Sequence, residues 1–505
     1  LASFSHPAIQ LQYMEICVRY CSFFETQTTY IPRVLEDFVR LVHHNHIRVR
    51  SRSWYFFYRY SKHLRTHIGT FAETVLQSIS DLLPVVTDTP KDVTAEDIPF
   101  EECDHTTDTT FNSQLYLFEA IGSILSCSTI TADRQALYIK SIVDPLFSEI
   151  EKNIGMAKTG NYQATLQIHH VIMALGSFSH GFAESASGVP SITTHTPLKE
   201  VTDQFSRVAE AIFFALETLK FSRDIRTAAR ASLSRLLGVL GSTVLPLLPH
   251  WIGSLLSENS TKDETAMFLH LLNQVIFEFN KDIYRVLDSL LSPLLQRIFS
   301  ELAEPITGTD DEIQLAELRR EYLSFIHIIL NSKLGNVFVS DANRRYFEQV
   351  ILSVTGLART VKDSSNNLST SRLAFSILIL MTQFWGGSNT AADGNQFNLS
   401  ESTPQPILQD FDRFSIERFH PACWDVLREP SFKPAKDAQC KQILNEIAGL
   451  EQAIYIKTGD VFLRYLEQEF FPVLGVDGSD FIKALRTISD RKKFAKYVQE
   501  FLNQK

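Results

Sequence analysis

A run of basic side chains without a single acidic one is the feature of this sequence most able to do chemistry. Residues 38–72 hold seven arginines and lysines and no aspartate or glutamate, in a chain of 505 residues whose net charge is −10. Guanidinium and ammonium groups bind phosphate oxygens by charge-assisted hydrogen bonds, whereas an ordinary solvated helix face mixes both signs. The run therefore predicts a polyanionic partner, with a chance run on an exposed helix as the plainer alternative. The seven residues are Arg40, Arg48, Arg50, Arg52, Arg59, Lys62 and Arg65.

Helical spacing divides this segment, predicted as a helix over 48–66, into two faces. One face carries side chains at steps of 4, 3, 4 and 3, namely Arg48, Arg52, Tyr55, Arg59 and Lys62. The other is mostly apolar and can pack against neighbouring helices: Arg50, Trp54, Phe57, Ser61, Leu64 and Ile68. We expect the partner to bind Arg48, Arg52, Arg59, Lys62 and Arg65, with Tyr55 able to stack on a sugar or an exposed base.

A second tier of candidate binding residues lies further along the chain: Arg230, Arg344, Arg345, Lys492 and Lys493. Arg230 follows Arg226 by one helical turn, and for Arg226 a structural pairing between neighbouring repeats is the favoured interpretation. Arg344 and Arg345 open a predicted helix, where positive charge opposes the helix dipole, so either a phosphate or a nearby carboxylate should balance them. The two lysines belong to a cluster opposed only by Asp490, which is either a second anion patch or an exposed final capping helix.

Motifs for other chemistry are missing from the sequence. It contains no Gly-rich phosphate loop, no H-E-x-x-H, no paired C-x-x-C and no G-x-S-x-G. His43, His44 and His46 lie together at a helix end, where they are expected to cap carbonyls or extend the cationic surface and not to bind a metal. The sequence therefore predicts no enzyme, no metal and no cofactor; a helical enzyme domain is the least favoured of the interpretations.

Length and composition indicate a folded protein made of several domains or of repeats. The chain is 44% hydrophobic and 21% charged, and its six cysteines are too irregularly placed for a disulfide framework, so a reducing compartment is expected. It begins with Leu and not Met, close to the start of a predicted helix and without a signal peptide, which predicts a fragment of a longer protein. Residues 236–257 carry no charge, but their glycines and prolines predict two helices and not a membrane span.

Helical periodicity dominates the chain, and the ends of the predicted helices are defined to within a few residues. Predicted helices cover about 8–24, 29–43, 48–66, 68–84, 111–127, 133–153, 161–182, 198–220, 223–240, 243–257, 262–279, 281–303, 311–331, 342–361, 367–385, 411–428, 436–456, 459–472 and 480–503. Two helices with their turns take about 35–45 residues, the size of HEAT and armadillo units. The segments beginning at Ile47 and Asp224 both resemble the start of the second helix of a HEAT repeat. We therefore predict an all-α fold, a HEAT-repeat α-solenoid of antiparallel helix pairs.

The predicted organisation is a series of repeats with two long interruptions. HEAT repeats are expected over 1–85 and 111–385, with C-terminal HEAT-like repeats and a capping helix over 411–505. Residues 86–110 are an acidic loop, and 386–410 are a Gly, Ser, Asn and Pro-rich flexible loop. The acidic loop follows the basic helix directly, so it could compete for the cations, although a solvated insertion is the favoured interpretation.

The segment VRSRSWYFFYRYSKHLR, preceded by HPAIQLQYMEICVRYCSFFE and IPRVLEDFVR, resembles the middle of the exportin-T family. The resemblance continues through DIRTAARASLSRLLGVLG and STSRLAFSILILMTQFWGG. It implies a HEAT-repeat nuclear export receptor of the importin-β superfamily that binds transfer RNA together with RanGTP and shuttles between nucleus and cytoplasm. Nuclear pore proteins are further implied partners. The resemblance also implies that this chain is a C-terminal portion and that the principal Ran-binding repeats lie outside it.

The basic residues and the predicted solenoid favour the same partner independently of this resemblance. Transfer RNA is a fixed shape with dense phosphates, and a solenoid can offer it a large concave cationic surface. A HEAT scaffold or a receptor for a protein cargo is the alternative, in which the basic helix would contact an acidic protein segment.

Overall fold

The computed structural model describes residues 6–87, 109–184, 199–256, 260–361, 365–387, 408 and 410–503. Throughout these residues the secondary structure is helical, and they contain no β-strand. The chain divides into two compact units, Leu1–Ser260 and Thr261–Lys505. The loop predicted at 86–110 and the loop predicted at 386–410 fall mostly outside the described residues.

The first unit consists of twelve helices in the part described. They are α1 (Pro7–Arg19), α2 (Cys21–Thr26), α3 (Ile31–Val42), α4 (Ile47–His63), α5 (Arg65–Ile68), α6 (Ala72–Ile79), α7 (Thr109–Leu125), α8 (Ala132–Lys158), α9 (Tyr162–Glu184), α10 (Lys199–Thr218), α11 (Arg223–Leu240) and α12 (Leu248–Leu255).

The second unit continues the pattern, again as far as it is described. Its helices are α13 (Lys262–Phe279), α14 (Tyr284–Leu302), α15 (Thr309–Asn331), α16 (Phe347–Ala358), α17 (Ser365–Trp385), α18 (Phe411–Phe414), α19 (His420–Leu427), α20 (Ala438–Thr458), α21 (Asp460–Tyr465), α22 (Phe471–Leu474), α23 (Ser479–Thr487) and α24 (Arg491–Asn503).

Helix hairpins stacked in two rows form the first unit. Short turns join α3 to α4, α8 to α9 and α10 to α11, and the members of each pair pack together. The second helices of the hairpins lie side by side in the order α4, α7, α9, α11, while α8 and α10 pack in the other row. No hairpin could bury its apolar faces alone, so stacking supplies a continuous core, as in a HEAT-repeat solenoid.

The second unit has the same construction. One row runs through α13, α15, α17, α20 and α24, and each of these helices packs on the next. The first helices of the hairpins pack against this row. The predicted HEAT-repeat α-solenoid is therefore confirmed.

Two glycines set the closeness of the stacking between α7 and α9. A Cβ atom on Gly122 would overlap the Phe178 carbonyl oxygen, and one on Gly181 would overlap the Glu119 carbonyl oxygen. Both obstacles are backbone atoms of the partner helix, so a side chain could not be accommodated by a simple rotamer change.

Several predicted helices are shorter or more divided than the sequence pattern indicates. The single helix predicted over 8–24 breaks at Tyr20, and the one predicted over 480–503 breaks at residues 488–490, where Asp490 accepts a hydrogen bond from the backbone N–H of Lys493 at 2.8 Å. The helices predicted over 411–428 and 459–472 contain π-helical turns, Ser415–Phe419 and Leu466–Phe470. Apolar periodicity carries across such interruptions, which is why it did not reveal them.

The uncharged stretch after Leu236 folds as the sequence predicts, apart from one detail. Gly241 ends α11 with φ of +52°, a conformation that a residue with a side chain rarely adopts, and α12 follows. The new helix, predicted from 243, begins at Leu248 and carries Pro249 in its first turn. Of the helices in the described ranges, none has the length and apolar character that crossing a membrane requires.

Candidate nucleic-acid interface

The basic helix α4 is oriented by its apolar face, as its helical spacing predicts. Trp54 and Phe57 are buried, and the Trp54 indole N–H donates to the Val42 carbonyl at the end of α3 at 3.0 Å. Ser61, Leu64 and Ile68 continue this buried face through the end of α4 and into α5. Since one face of α4 is packed against α3, α1 and α7, the opposite face must meet the surface.

That surface face carries the predicted cations. Arg48, Arg52, Arg59 and Lys62 are exposed, while Tyr55 and Arg65 are partly buried. We call Arg48, Arg52, Tyr55, Arg59, Lys62 and Arg65 the basic stripe. The structure therefore places all six predicted residues on one continuous strip of α4 and α5.

Tyr55 lies between the two central arginines of the stripe. The Arg52 guanidinium carbon is 4.8 Å from the centroid of the Tyr55 ring, and that of Arg59 is 5.8 Å away. The Arg59 Nη1 also donates to the Tyr55 hydroxyl at 2.8 Å. A tyrosine ring attracts guanidinium groups through its negative face, so Tyr55 holds both arginines close to the helix surface.

Two further tyrosines extend this arrangement. Tyr116 of α7 meets the Tyr55 ring edge-to-face at 5.2 Å and stacks on Tyr58 at 5.9 Å. Lys62 in turn donates to the Tyr58 hydroxyl at 3.2 Å. Tyr58 and Tyr116 were missed by the sequence reasoning, because Tyr116 joins the site only through the packing of α7 against α4.

Within the described ranges, Arg48, Arg52 and Arg59 form no ion pair. Other exposed cations of the same unit do: Arg19 pairs with Glu15, Arg134 with Glu73, and Lys152 with Glu149. The guanidinium groups of Arg52 and Arg59 lie against the Tyr55 ring, and all three groups are suited to bidentate contacts with phosphate oxygens.

The two cysteines behind the stripe do not neutralise it. Burial raises the pKa of Cys17 to about 11 and that of Cys21 to about 12, so both thiols stay protonated at neutral pH. Both side chains are buried and form no disulfide.

The histidines before α4 serve the packing of helix ends. His43 Nδ1 hydrogen-bonds the Val39 carbonyl at 2.7 Å, and its Nε2 is 3.0 Å from an Asp81 carboxylate oxygen. Burial alone would lower the pKa of His43, but these two contacts outweigh it and raise the pKa above its usual value. The expected capping role is confirmed for His43. Across the described residues, no group of three or more His, Cys, Asp or Glu side chains could hold a metal.

One predicted binding residue, Arg230, is buried and not on the surface. Arg230 is only 5% exposed, and its guanidinium lies inside the unit, within 3.4 Å of the Thr227 hydroxyl. Arg226 is buried as well and donates to the Lys220 carbonyl at 2.6 Å, so its structural role is observed within one repeat, and the expected pairing with an acid of a neighbouring repeat stays a prediction. Both arginines lie on the packed side of α11, because this helix has neighbours on several sides.

The remaining predicted residues lie on separate elements of the second unit. Arg344 pairs with Asp341 at 3.4 Å, which supplies the carboxylate that its place at a helix start suggested. Arg345 lies over the Tyr346 ring at 4.8 Å. Lys492 and Lys493 are exposed on the first turn of α24.

Comparison with known proteins gives consistent matches over the whole chain. An Exportin-T family profile matches residues 1–505. The Exportin-T proteins of Botryotinia fuckeliana and Pyricularia oryzae are 55% and 52% identical to the chain, and each alignment covers 100% of this chain and 49% of the relative. The chain thus spans about half the length of the curated relatives it matches.

Solved structures that resemble the chain are more distant. A crystal structure of a Kap121p mutant has a TM-score of 0.44 at 10% identity, covering 98% of this chain and 47% of that one. Importin beta, crystallised in ammonium sulfate, has a TM-score of 0.41 at 10% identity, covering 97% of this chain and 53% of that one.

Proposed function

The chain belongs to the Exportin-T family, and we propose that it is the part of a nuclear export receptor that binds transfer RNA together with RanGTP and carries it from the nucleus to the cytoplasm. Exportins are transport receptors, so the chain is not an enzyme. RanGTP and nuclear pore proteins are partners of the whole receptor in this proposal, whereas the RNA contacts this segment directly.

The basic stripe is the observation that supports RNA as the cargo. Arg48, Arg52 and Arg59, which form no ion pair with any residue that the structure describes, follow one helix face over three turns. Phosphates along an RNA backbone can meet such a row of guanidinium groups without any reading of base sequence.

The test is sequencing of the RNA that copurifies with the full-length receptor, with and without RanGTP. We expect transfer RNA to be enriched with RanGTP, and the R52E/R59E variant to lose that enrichment with unchanged helicity and melting. Its affinity for transfer RNA should fall at least about tenfold, since each hydrogen bond to a charged group contributes about 1.5–3 kcal/mol.

The matched control is R134E/K152E, which reverses two exposed cations that already pair with Glu73 and Glu149. It should retain the RNA. Recovery of a protein partner that resists ribonuclease, with no RNA enriched, would instead identify the chain as part of a receptor for a protein cargo.

A further inference from the structure

Two serines lie among three arginines at the start of α4, in the sequence R-V-R-S-R-S of residues 48–53. Ser53 is fully buried, and its hydroxyl donates to the Val49 carbonyl at 2.6 Å. Ser51 is partly exposed, and its hydroxyl forms no hydrogen bond with any residue that the structure describes. Of these two hydroxyl groups, only that of Ser51 is therefore available for reaction at the surface.

Ser51 lies on the face of α4 that carries the basic stripe. Arg48 precedes it by three residues and Tyr55 follows it by four, and side chains at these spacings are neighbours on a helix surface. The Arg52 guanidinium carbon is 4.8 Å from the centroid of the Tyr55 ring, so its charge lies along that same face. A group attached to the Ser51 hydroxyl would therefore be close to two guanidinium groups of the stripe.

The arginines around Ser51 have no carboxylate partner in the described ranges. Arg48, Arg50 and Arg52 form no ion pair there, and the first turn of α4 contains no acidic residue. A phosphate ester at this position would accept charge-assisted hydrogen bonds from the guanidinium groups, as a phosphate placed beside an arginine cluster does. These contacts favour the phosphorylated form of the folded helix.

The start of α4 is weakly stabilised, which gives an enzyme access to this serine. The N-cap residue His46 forms no side-chain cap hydrogen bond, and two arginines carry positive charge at the positive end of the helix dipole. Of residues 47–51 only Val49 is buried, so opening this turn exposes one buried side chain. A protein kinase, which binds its acceptor segment in extended form, needs that opening.

We propose that Ser51 is a phosphorylation site, and that a phosphate on it switches off RNA binding by the basic stripe. The co-reactants are ATP and an arginine-directed protein kinase. The Ser51 Oγ forms a bond to the γ-phosphorus, the bond from that phosphorus to the bridging oxygen breaks, the hydroxyl proton passes to a base of the kinase, and ADP leaves. This inference rests on the proposed function and adds the regulation of its site.

A phosphate on Ser51 would compete with RNA for the same guanidinium groups. It carries a charge of about −1.5 to −2 at pH 7, which offsets about two arginines of the stripe. Because it is covalently attached, it reaches them without the entropy cost of association that a phosphate of RNA must overcome. It also repels the RNA backbone, so the modified stripe should bind RNA weakly.

Phosphoserine encoded at position 51 during translation tests the switch in the full-length receptor with RanGTP. We expect the affinity for transfer RNA to fall at least about tenfold, since hydrogen bonds to charged groups are lost. The slope of log affinity against log salt should fall by about 1.4–1.8, at about 0.7–0.9 for each of two phosphate contacts. Circular dichroism should show unchanged helicity.

The matched control is phosphoserine encoded at position 141. Ser141 is exposed on α8, and no arginine lies within four residues of it in the sequence. The receptor modified there carries the same added charge away from the basic stripe, so its affinity and its salt slope should equal those of the unmodified receptor.

Access to Ser51 is tested without RNA. The enzyme is an arginine-directed kinase chosen because it phosphorylates Ser51 in the isolated peptide of residues 44–56. With ATP it should phosphorylate the folded receptor at Ser51 and not at Ser53, as read by mass spectrometry, and S51A should remove that signal. Bound transfer RNA should slow the reaction, because RNA and kinase then compete for one surface.

The outcomes separate the switch from the proposed function. An unmodified receptor with no affinity for transfer RNA contradicts the proposed function and leaves the switch nothing to regulate. A receptor that binds RNA equally well with phosphoserine at position 51 and at position 141 overturns the switch alone. A folded receptor that the chosen kinase does not modify at Ser51 overturns the phosphorylation site.

Discussion

Tyr55 is the residue whose role the contacts define most sharply. Its ring lies beside both the Arg52 and the Arg59 guanidinium groups, and its hydroxyl accepts from Arg59. These contacts favour a positioning role, in which the tyrosine holds the arginines for phosphate, over direct stacking on a base.

The Y55L substitution separates these two roles. We expect the affinity for transfer RNA to fall about two- to fivefold, because each exposed cation–π contact is worth about 0.5–1 kcal/mol. The salt slope should stay unchanged, since no charge is lost. R52Q, the matched variant, should lower that slope by about 0.7–0.9. Both quantities come from one salt titration for each protein.

A larger loss for Y55L at constant slope would point to base stacking, which contributes about 1–3 kcal/mol per base. A reduced slope would show that an arginine loses its phosphate contact when Tyr55 is replaced, which would support the positioning role with a larger effect than the cation–π contacts alone predict.

Individual exposures could be predicted from sequence where a helix has one apolar face, and not elsewhere. On α4, the helical spacing was enough to predict that Arg52 is exposed and that Trp54 is buried. Arg230 was misplaced because α11 is packed on several sides, so an arginine on it can point inward. The contribution of Tyr116 depends on which helix stacks beside α4, and single-sequence periodicity does not contain that information.

At the scale of helices, the contact between α7 and α9 should be the most sensitive point of the first unit. G122A and G181A each introduce a methyl group against a backbone carbonyl of the other helix. We expect each variant to lose about 1–3 kcal/mol of unfolding free energy, or more if the helices must separate. Denaturant unfolding followed by circular dichroism measures this.

Gly155 provides the control for these glycines. It lies within α8, and no atom of a neighbouring element in the described ranges comes within 4 Å of the place that a Cβ would take. G155A should therefore stabilise the protein by about 0.5–1 kcal/mol through helix propensity alone. Equal effects of all three substitutions would show that close packing does not govern the α7–α9 contact.

The hydrogen bond between His43 and Asp81 should make the first unit sensitive to pH. Because the folded pKa of His43 is raised, its stabilisation is complete below the unfolded value of 6.5 and is lost as the pH rises through the folded pKa. Both side chains are partly exposed, so the difference should be only about 0.2–1 kcal/mol.

Calorimetric melting of wild type and H43Q at pH about 6 and about 8.5 checks this expectation. The wild type should lose its advantage over H43Q as the pH rises. D81N should reduce the same pH dependence, and a constant difference between wild type and both variants would contradict the role of this pair.

Helix existence was far easier to predict than helix interruption. The hairpin helices follow from apolar stripes, such as that of α3 with Val34, Leu35 and Phe38 buried. The π-helical turns at Ser415–Phe419 and Leu466–Phe470 leave those stripes intact while adding a residue to one turn. A proline follows each turn within two residues, Pro421 and Pro472, and the buried His420 and Phe462 rings of the two segments meet edge-to-face at 5.1 Å.

On the scale of the whole molecule, the chain consists of two units of stacked helix hairpins. The solenoid class followed from hairpin spacing, because two helices with their turns take about 35–45 residues. The aromatic contacts of the basic stripe did not, because Tyr116 reaches the stripe from another helix.

The most direct test of the central claim is the salt dependence of transfer-RNA binding when the stripe arginines without ion pairs are removed. The R48Q/R52Q/R59Q variant should lower the slope of log affinity against log salt by about 2–3, since three phosphate contacts are lost. The R134Q/K152Q/R413Q control should leave the slope unchanged. A stripe variant whose slope equals that of the wild type would show that these arginines do not contact RNA.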